Sequence, residues 1–221
     1  MVSDAARTAD PWASEPGAPD RIGLMADSHG NAALIDRAAA VLRSRGCTLC
    51  VHLGDILDTT RPDTIDACLK ALDTGRIKAV RGNNEHTLLL NRSSWLDRKA
   101  REAIRAMPFG RRIGSALLVH SLPFDDALGV RCLFGDMDLA QLGRFFASYP
   151  ETPLFRGHSH QPEIVRFSKE SLVRRPMAEG HPVPLAGRQP AVITCGALAD
   201  GLCLIWDRPQ ETVELIALGV A

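Results

Sequence analysis

Ile22-Gly23-Leu24-Met25-Ala26-Asp27-Ser28-His29 is a short apolar run that breaks abruptly into carboxylate, hydroxyl and imidazole, and Leu49-Cys50-Val51-His52-Leu53-Gly54-Asp55 repeats the form. Between the two, residues 32–42 carry apolar side chains at helical spacing. Short apolar runs that alternate with amphipathic stretches are the mark of strands covered by helices, so the opening reads β-α-β. The pattern continues with a helix over 65–72 and a strand over 77–80. The first half is therefore an α/β sheet.

Working outward, Leu96, Ala100, Ile104 and Met107 recur at helical spacing, and Pro108 and Gly110 end that element. Strands over 111–113 and 116–120 flank a tight turn at Gly114-Ser115. Asp138 caps a helix that runs to residue 146, and a strand follows over 154–156. Further strands at 163–167, 191–195, 202–206 and 212–217 make the tail β-rich. Residues 168–190, with Pro176, Pro182, Pro184 and Pro190 among Arg174, Arg175 and Arg188, read as an irregular connection. Residues 1–20, rich in Ala, Pro and acids, read as a flexible leader, and residues 21–221 as a single domain.

The 221 residues hold 26 basic and 26 acidic side chains, so no global positive field gathers phosphate backbones or anionic lipid. Nucleic-acid coating and membrane-surface binding are disfavoured, and the apolar runs fall far short of the about 20 residues that span a bilayer. The leader lacks the basic start and apolar core of a secretory signal, which points to the cytoplasm. The six scattered cysteines then read as reduced thiols; Cys47 and Cys50 form a C-x-x-C, but no second pair follows at zinc-site spacing.

Chemistry-bearing residues stand just past the strand ends: Asp27-Ser28-His29, Gly54-Asp55-Ile56-Leu57-Asp58, Gly82-Asn83-Asn84-Glu85, His120, and Gly157-His158-Ser159-His160. Two residues apart in an extended segment point the same way, so Asp27 and His29 are expected to converge on one ion. Carboxylates, neutral imidazoles and an amide oxygen, with glycines for tight turns, suit a pair of divalent cations held a few ångströms apart. Open α/β sheets present such groups at the carboxyl ends of their strands. Each residue alone has a bland reading as a turn former or a packed side chain. Jointly that reading fails, because four of the seven histidines fall into one ordered pattern.

The series D-x-H, G-D-x-x-D, G-N-x-[ED], a lone His and G-H-x-H resembles the calcineurin-like metallophosphoesterase superfamily, closest to its small bacterial single-domain phosphodiesterases. The resemblance implies an α/β fold in which a β-sandwich is flanked by α-helices, αββα, with the β-rich tail in the second sheet. It implies that Asp27, His29, Asp55 and His160 surround one metal and that Asp55, Asn83, His120 and His158 surround the other, with Asp55 as the bridge. The implied cofactors are two divalent ions, manganese first, with iron, zinc, nickel or magnesium as alternatives. A shared water would supply hydroxide for in-line attack on a small phosphodiester or nucleotide-like substrate. A metal-binding scaffold that has lost catalysis is the alternative; protein phosphatase and nuclease rank lower, since eleven aromatics and zero net charge do not furnish a stacking, basic groove.

The chain also departs from the family. Many members carry His at the third position of G-N-x-[ED], held by the second Asp of G-D-x-x-D; here those positions are Asn84 and Asp58. Asn84 is expected to hydrogen-bond to substrate, and Arg81 to contact a phosphate oxygen or to form a strand-end salt bridge. His86 is a weaker candidate acid, while His52 and His181 read as structural and bystanding. Substrate choice is assigned to loops 122–137 and 168–190. An amide cannot protonate a leaving oxygen, so aryl phosphoesters, whose leaving groups need no proton, are expected to turn over far faster than alkyl ones. Equal rates on a matched aryl and alkyl pair would defeat this expectation.

Overall fold

Strands in the interior of a two-sheet stack bury both faces, which is why the apolar runs here are continuous rather than alternating. The computed structural model describes residues 13–14, 17, 19–124, 130–168, 171–185 and 190–219. In chain order its elements are β1 (Ala13–Ser14), β2 (Arg21–Met25), α1 (Ala32–Ser44), β3 (Leu49–His52), α2 (Ile65–Thr74), β4 (Lys78–Ala79), α3 (Asn83–Asn91) and α4 (Arg98–Ala106). The hairpin of β5 (Gly110–Ile113) and β6 (Ala116–Val119) follows, then α5 (Arg131–Phe134), α6 (Leu139–Ser148) and β7 (Pro153–Arg156). The tail holds β8 (Glu163–Ser168), β9 (Ser171–Pro176), β10 (Val183–Pro184), β11 (Ala191–Thr194), β12 (Leu202–Asp207) and β13 (Thr212–Ala217).

One sheet has the order β10-β13-β12-β2-β3-β4 and the other β1-β5-β6-β7-β11-β8-β9. Side-chain alternation sorts each strand between layers. Ile22 and Leu24 of β2, Val51 of β3, Phe155 of β7 and Leu204 of β12 fill the core between the sheets. Met25, Cys50 and Ile205 face the opposite way, onto the helices that carry Ile35, Leu42, Ile65 and Ile104. On the far side of the second sheet, Leu117, Val119 and Leu154 pack against Leu142, Phe145 and Phe146 of α6. The result is the expected αββα sandwich. A Cβ on Gly23 would stand 2.7 Å from Leu42 Cδ1, so a glycine inside β2 lets α1 lie close on the sheet.

Helix starts follow ordinary capping chemistry. Asn31, Asp97 and Asp138 accept from Leu34 N, Ala100 N and Gln141 N in the first turns of α1, α4 and α6. Strands β2, β3 and β4 run parallel in one sheet, and β6 and β7 run parallel in the other. Their carboxyl ends meet along one edge of the sandwich, and every polar cluster of the sequence lies there.

Three expectations need correction. Ala13–Ser14, placed in the leader, pair in parallel with Arg111 and Arg112 of β5. The connection over 168–190 contains β9 and β10, with residues 169–170 and 186–189 outside the described residues. β9 escapes a hydrophobic-pattern reading because it is a sheet edge whose Arg174 and Arg175 are exposed and charged. Helix α3 was also unforeseen, since Asn-Asn-Glu-His-Thr is a poor helix former by propensity. All six cysteines are free and buried. Burial pushes the Cys47 thiol up to about 11, which leaves the C-x-x-C inert. No helix among the described residues is long and apolar enough to cross a membrane.

Phe155 is fully buried between the sheets, its ring 4.7 Å from that of Trp206. Phe155→Ala should lower unfolding stability by about 3–5 kcal/mol in urea titration, because the void lies between two hydrogen-bonded sheets that cannot collapse onto it. A loss under about 1 kcal/mol would mean that the sheets are not packed as described.

Candidate metal centre

The loops after β2 and β3 are laced together by their backbones: Asp27 N donates to Gly54 O (3.0 Å), His29 N to Asp55 O (3.1 Å) and Gly30 N to Ile56 O (2.8 Å). This lacing needs unusual backbone angles. Asp27, His29, Asp55, His158 and His160 have φ of 55°, 46°, 53°, 71° and 59°, five of the seven non-glycine residues with positive φ among those described. Such angles cost on the order of 1–3 kcal/mol each and persist only where surrounding structure enforces them. The expectation that Asp27 and His29 converge through an extended segment is thereby corrected. They converge because a left-handed turn at each folds both side chains to one place. Gly54 and Gly82 permit the approach of the next two loops; a Cβ on Gly54 would stand 2.8 Å from Gly82 N and from His120 Nδ1, and one on Gly82 would fall on Asp55.

All seven expected ligands assemble at this edge. His29 Nε2 and His160 Nε2 are 3.1 Å apart, and His160 Nε2 is 3.9 Å from Asp27 Oδ1. On the other side, Asn83 Oδ1 lies 2.8 Å from His120 Nε2 and 3.1 Å from His158 Nδ1, while Asp55 Oδ1 lies 3.5 Å from His120 Nε2. Two groups, Asp27–His29–His160 and Asp27–Asp55–His120, each bring their ligand atoms within 4.8 Å of one another, so either could hold a cation. Asp27 is common to both.

The donor chemistry fits divalent metals. Asp27 Oδ1 is buried and has no hydrogen-bond partner, an arrangement that costs several kcal/mol for a carboxylate unless a cation or proton compensates. Burial pushes the Asp27 carboxyl up to about 7, and burial together with the Glu85 carboxylate pushes Asp55 up as well. The imidazoles move the other way. Burial holds His29, His120 and His158 below the usual histidine range, hence neutral, which is the form that ligates metal. His120 Nδ1 lies 2.9 Å from Leu53 O; donating there leaves the Nε2 lone pair aimed at the cluster.

Asn84 and Asp58 are at the site but are committed to the protein. Asn84 Nδ2 donates to Leu57 O (2.8 Å) and stands 3.1 Å from His29 Nδ1, and Asn84 Oδ1 accepts from Asn83 Nδ2. Asp58 accepts from Thr60 N, Thr60 Oγ1 and Arg61 Nε, and Arg61 in turn donates to His29 O. Asp58 therefore steadies the His29 turn instead of a general acid. Arg81 departs from expectation: its guanidinium donates to Ile104 O and Arg105 O at the end of α4 and lies 4.9 Å from the Phe109 ring centre. Carbonyls freed at a helix terminus attract a cation, so Arg81 caps α4, and among the described residues it forms no ion pair with a carboxylate. His52 is buried, bonds Ser28 Oγ at 3.0 Å and is pushed down to about 3 by burial, a structural imidazole. His181 Nδ1 bonds Glu179 O at 2.7 Å. In loop 122–137, residues 125–129 lie outside the described residues.

Two supporting residues were not foreseen. Glu85, fully buried, accepts from Asp55 N (3.0 Å), Leu57 N (2.9 Å) and Gly82 N (2.8 Å). Its place in G-N-x-E was a sufficient signal, read as motif alone. Arg156, 3% exposed, donates to Ser121 O, Ser121 Oγ, Ser159 Oγ and Thr194 Oγ1, a buried cation beneath the His158 turn. Asp136 Oδ1 and Asp200 Oδ2 stand 3.8 Å from the outward nitrogens of His158 and His160.

The family model of the calcineurin-like phosphoesterase superfamily domain matches residues 21–176. No curated protein sequence matches. Among solved structures, a metallophosphoesterase from Sphaerobacter thermophilus superposes with a TM-score of 0.71 at 17% identity, covering 91% of this chain and 89% of that one. An archaeal phosphodiesterase superposes with a TM-score of 0.51 at 14% identity, covering 89% and 99%. At these identities the likeness is one of fold.

The electrostatics give a stability test. Asp27 and Asp55 bind protons more tightly folded than unfolded, so between their unfolded range near 4 and their folded values folding takes up protons and stability falls as pH rises. The depressed histidines, His52 and His86 included, act oppositely until about one pH unit above 6.5, since unfolded imidazole is still half protonated at that value. Chelator-treated protein should thus lose stability between about pH 7.5 and 8.5, with a slope below the limit of about 1.4 kcal/mol per pH unit per carboxylate, because the folded carboxyls are already partly ionised there. Mn²⁺ should raise Tm more at pH 8 than at pH 6.5. A metal-free Tm that climbs over this window would refute the description of the centre.

Proposed function

The chain belongs to the calcineurin-like phosphoesterase superfamily, and from that membership and the donor set of its site we propose that it hydrolyses a small phosphodiester or nucleotide-like ester with two divalent cations, Mn²⁺ first among them. The observation that carries the reading is the unpartnered, buried Asp27 Oδ1 set among converging imidazole nitrogens. Asp27, His29, His160 and Asp55 would hold one ion, and Asp55, Asn83, His120 and His158 the other, with Asp55 shared as the family resemblance implies, although Asp27 is the carboxylate common to the two clusters of the structure. What two such cations supply when bound is Lewis acidity, which makes hydroxide available near neutral pH and offsets charge on phosphoryl oxygens.

The protein's own part is placement. The left-handed turns and the Glu85 clamp hold the ligands before any ion arrives, so little reorganisation accompanies binding or reaction. His120, tied to Leu53 O, presents Nε2 and keeps its other proton out of the site. Asn84 fixes His29 and the Leu57 carbonyl and has no proton to give a leaving oxygen. That deficit agrees with a preference for esters of acidic alcohols. No Ser or Cys nucleophile is required, because the attacking oxygen comes from water.

Asp55→Asn keeps the side chain's shape and its oxygen for Asn84 N while removing the shared charge. After metal stripping, Mn²⁺ should restore hydrolysis of bis(p-nitrophenyl) phosphate in the unaltered protein, and the variant should be at least about 100-fold slower, more than the loss typical of residues that merely support a ligand. Turnover that ignores both chelator and substitution would dismiss the proposal.

A further inference from the structure

Three of the seven phenylalanines are exposed: Phe167, at 50%, and two that the chain ties to the candidate metal centre. Phe109 is 38% exposed and Phe134 49%. They share one neighbour, His86, whose ring centre lies 6.5 Å from Phe109, tilted by 51°, and 6.1 Å from Phe134, edge-on at 78°. His86 stands three residues after Asn83 on α3, hence on the same face one turn along.

Both phenylalanines are tied to the centre by short connections. Phe109 follows Pro108, whose carbonyl accepts from Arg81 N just before Gly82 and Asn83, and the Arg81 guanidinium covers the Phe109 ring at 4.9 Å. Phe134 precedes Gly135, whose carbonyl accepts from Ser121 Oγ next to His120, and Asp136, whose Oδ1 is 3.8 Å from His158 Nε2. The three rings are thus joined, through a few residues of chain and one hydrogen bond or ion pair each, to Asn83, His120 and His158. The other exposed rings pair elsewhere: Phe167 stands 6.2 Å from the Phe146 ring, and Trp95 lies under the Arg92 guanidinium at 5.3 Å.

Resting on the phosphoester reading of the metal centre, we propose that Phe109, Phe134 and His86 form a subsite for a planar aromatic group attached to the phosphoryl group, a nucleobase or an aryl ring. Rings at 4.5–7 Å in tilted and edge-on arrangements accept a further ring by the same quadrupole interactions. Such contacts tolerate any planar ring and contribute about fivefold or more in affinity per ring. An alkyl group of equal charge gains only its smaller area.

Binding tests this without turnover. The Mn²⁺-loaded protein is titrated calorimetrically with phenylphosphonate against methylphosphonate, and with adenosine 5′-monophosphate against ribose 5-phosphate. The aromatic member should bind at least about fivefold tighter in one pair or both, and which pair responds separates an aryl ring from a nucleobase. Phe109→Leu/Phe134→Leu, and separately His86→Ala, should pull that ratio toward one with metal content unchanged. Equal affinities within both pairs, a ratio that the variants leave intact, or no binding by any of the four would overturn the subsite. Aromatic preference without hydrolysis of any ester would uphold the subsite and remove the hydrolase reading; hydrolysis without aromatic preference would do the reverse.

Discussion

The buried carboxylate of Glu85 is the fastening on which the metal centre depends. It receives the backbone N–H groups of Asp55 and Leu57 from the loop after β3 and that of Gly82 from the turn before α3. Three charge-assisted bonds offset part of what it costs to bury the charge, and burial still holds this carboxyl above its ordinary range. They also bind the carboxyl end of one strand to the start of a helix, so that Asp55 and Asn83 are delivered to the same few cubic ångströms. The amide of Asn84, in the first turn of α3, then closes on Asp55 Oδ1 at 2.9 Å. Without Glu85 the two loops are left with the Asn84 bonds, from its N–H to Asp55 Oδ1 and from its Nδ2 to Leu57 O.

Around this fastening the backbone is held under strain, and the strain is local to the ligands. Left-handed angles at Asp27, His29, Asp55, His158 and His160 aim five side chains inward that ordinary strand ends would splay apart. The electrostatics are similarly concentrated. Burial raises the carboxyls and depresses the imidazoles, and Arg156 places a positive charge beneath the His158 turn. The αββα sandwich supplies the rigidity; its three apolar layers fix the strands whose ends carry the loops. Backbone strain and buried charge are therefore concentrated at the edge that carries the candidate metal ligands.

Much of this was legible in the residues. The run 22–26 and its repeat at 49–53 announced buried strands, and the ordered series from Asp27 to His160 announced the candidate ligands, which the fold brings to one edge. What stayed hidden depended on long-range packing. β9 carries an edge strand's charges and β1 only two residues, so neither has a hydrophobic pattern to read. Helix α3 is imposed by Glu85 and the Gly82 turn against poor propensity. Arg81 stands beside the motif in sequence yet its side chain turns away to α4, because the helix end offers it carbonyls. The left-handed turns could not be read from Asp and His, which adopt that region only when tertiary contacts enforce it.

The central claim is that one preformed cluster holds two cations on either side of Asp55. Anomalous diffraction from crystals of the protein soaked in Mn²⁺ tests it most directly. Two peaks should appear, one among Asp27, His29 and His160 and one among Asn83, His120 and His158, with the backbone of all five loops unmoved. A single peak, peaks elsewhere, or loops that must rearrange to admit the ions would contradict the account.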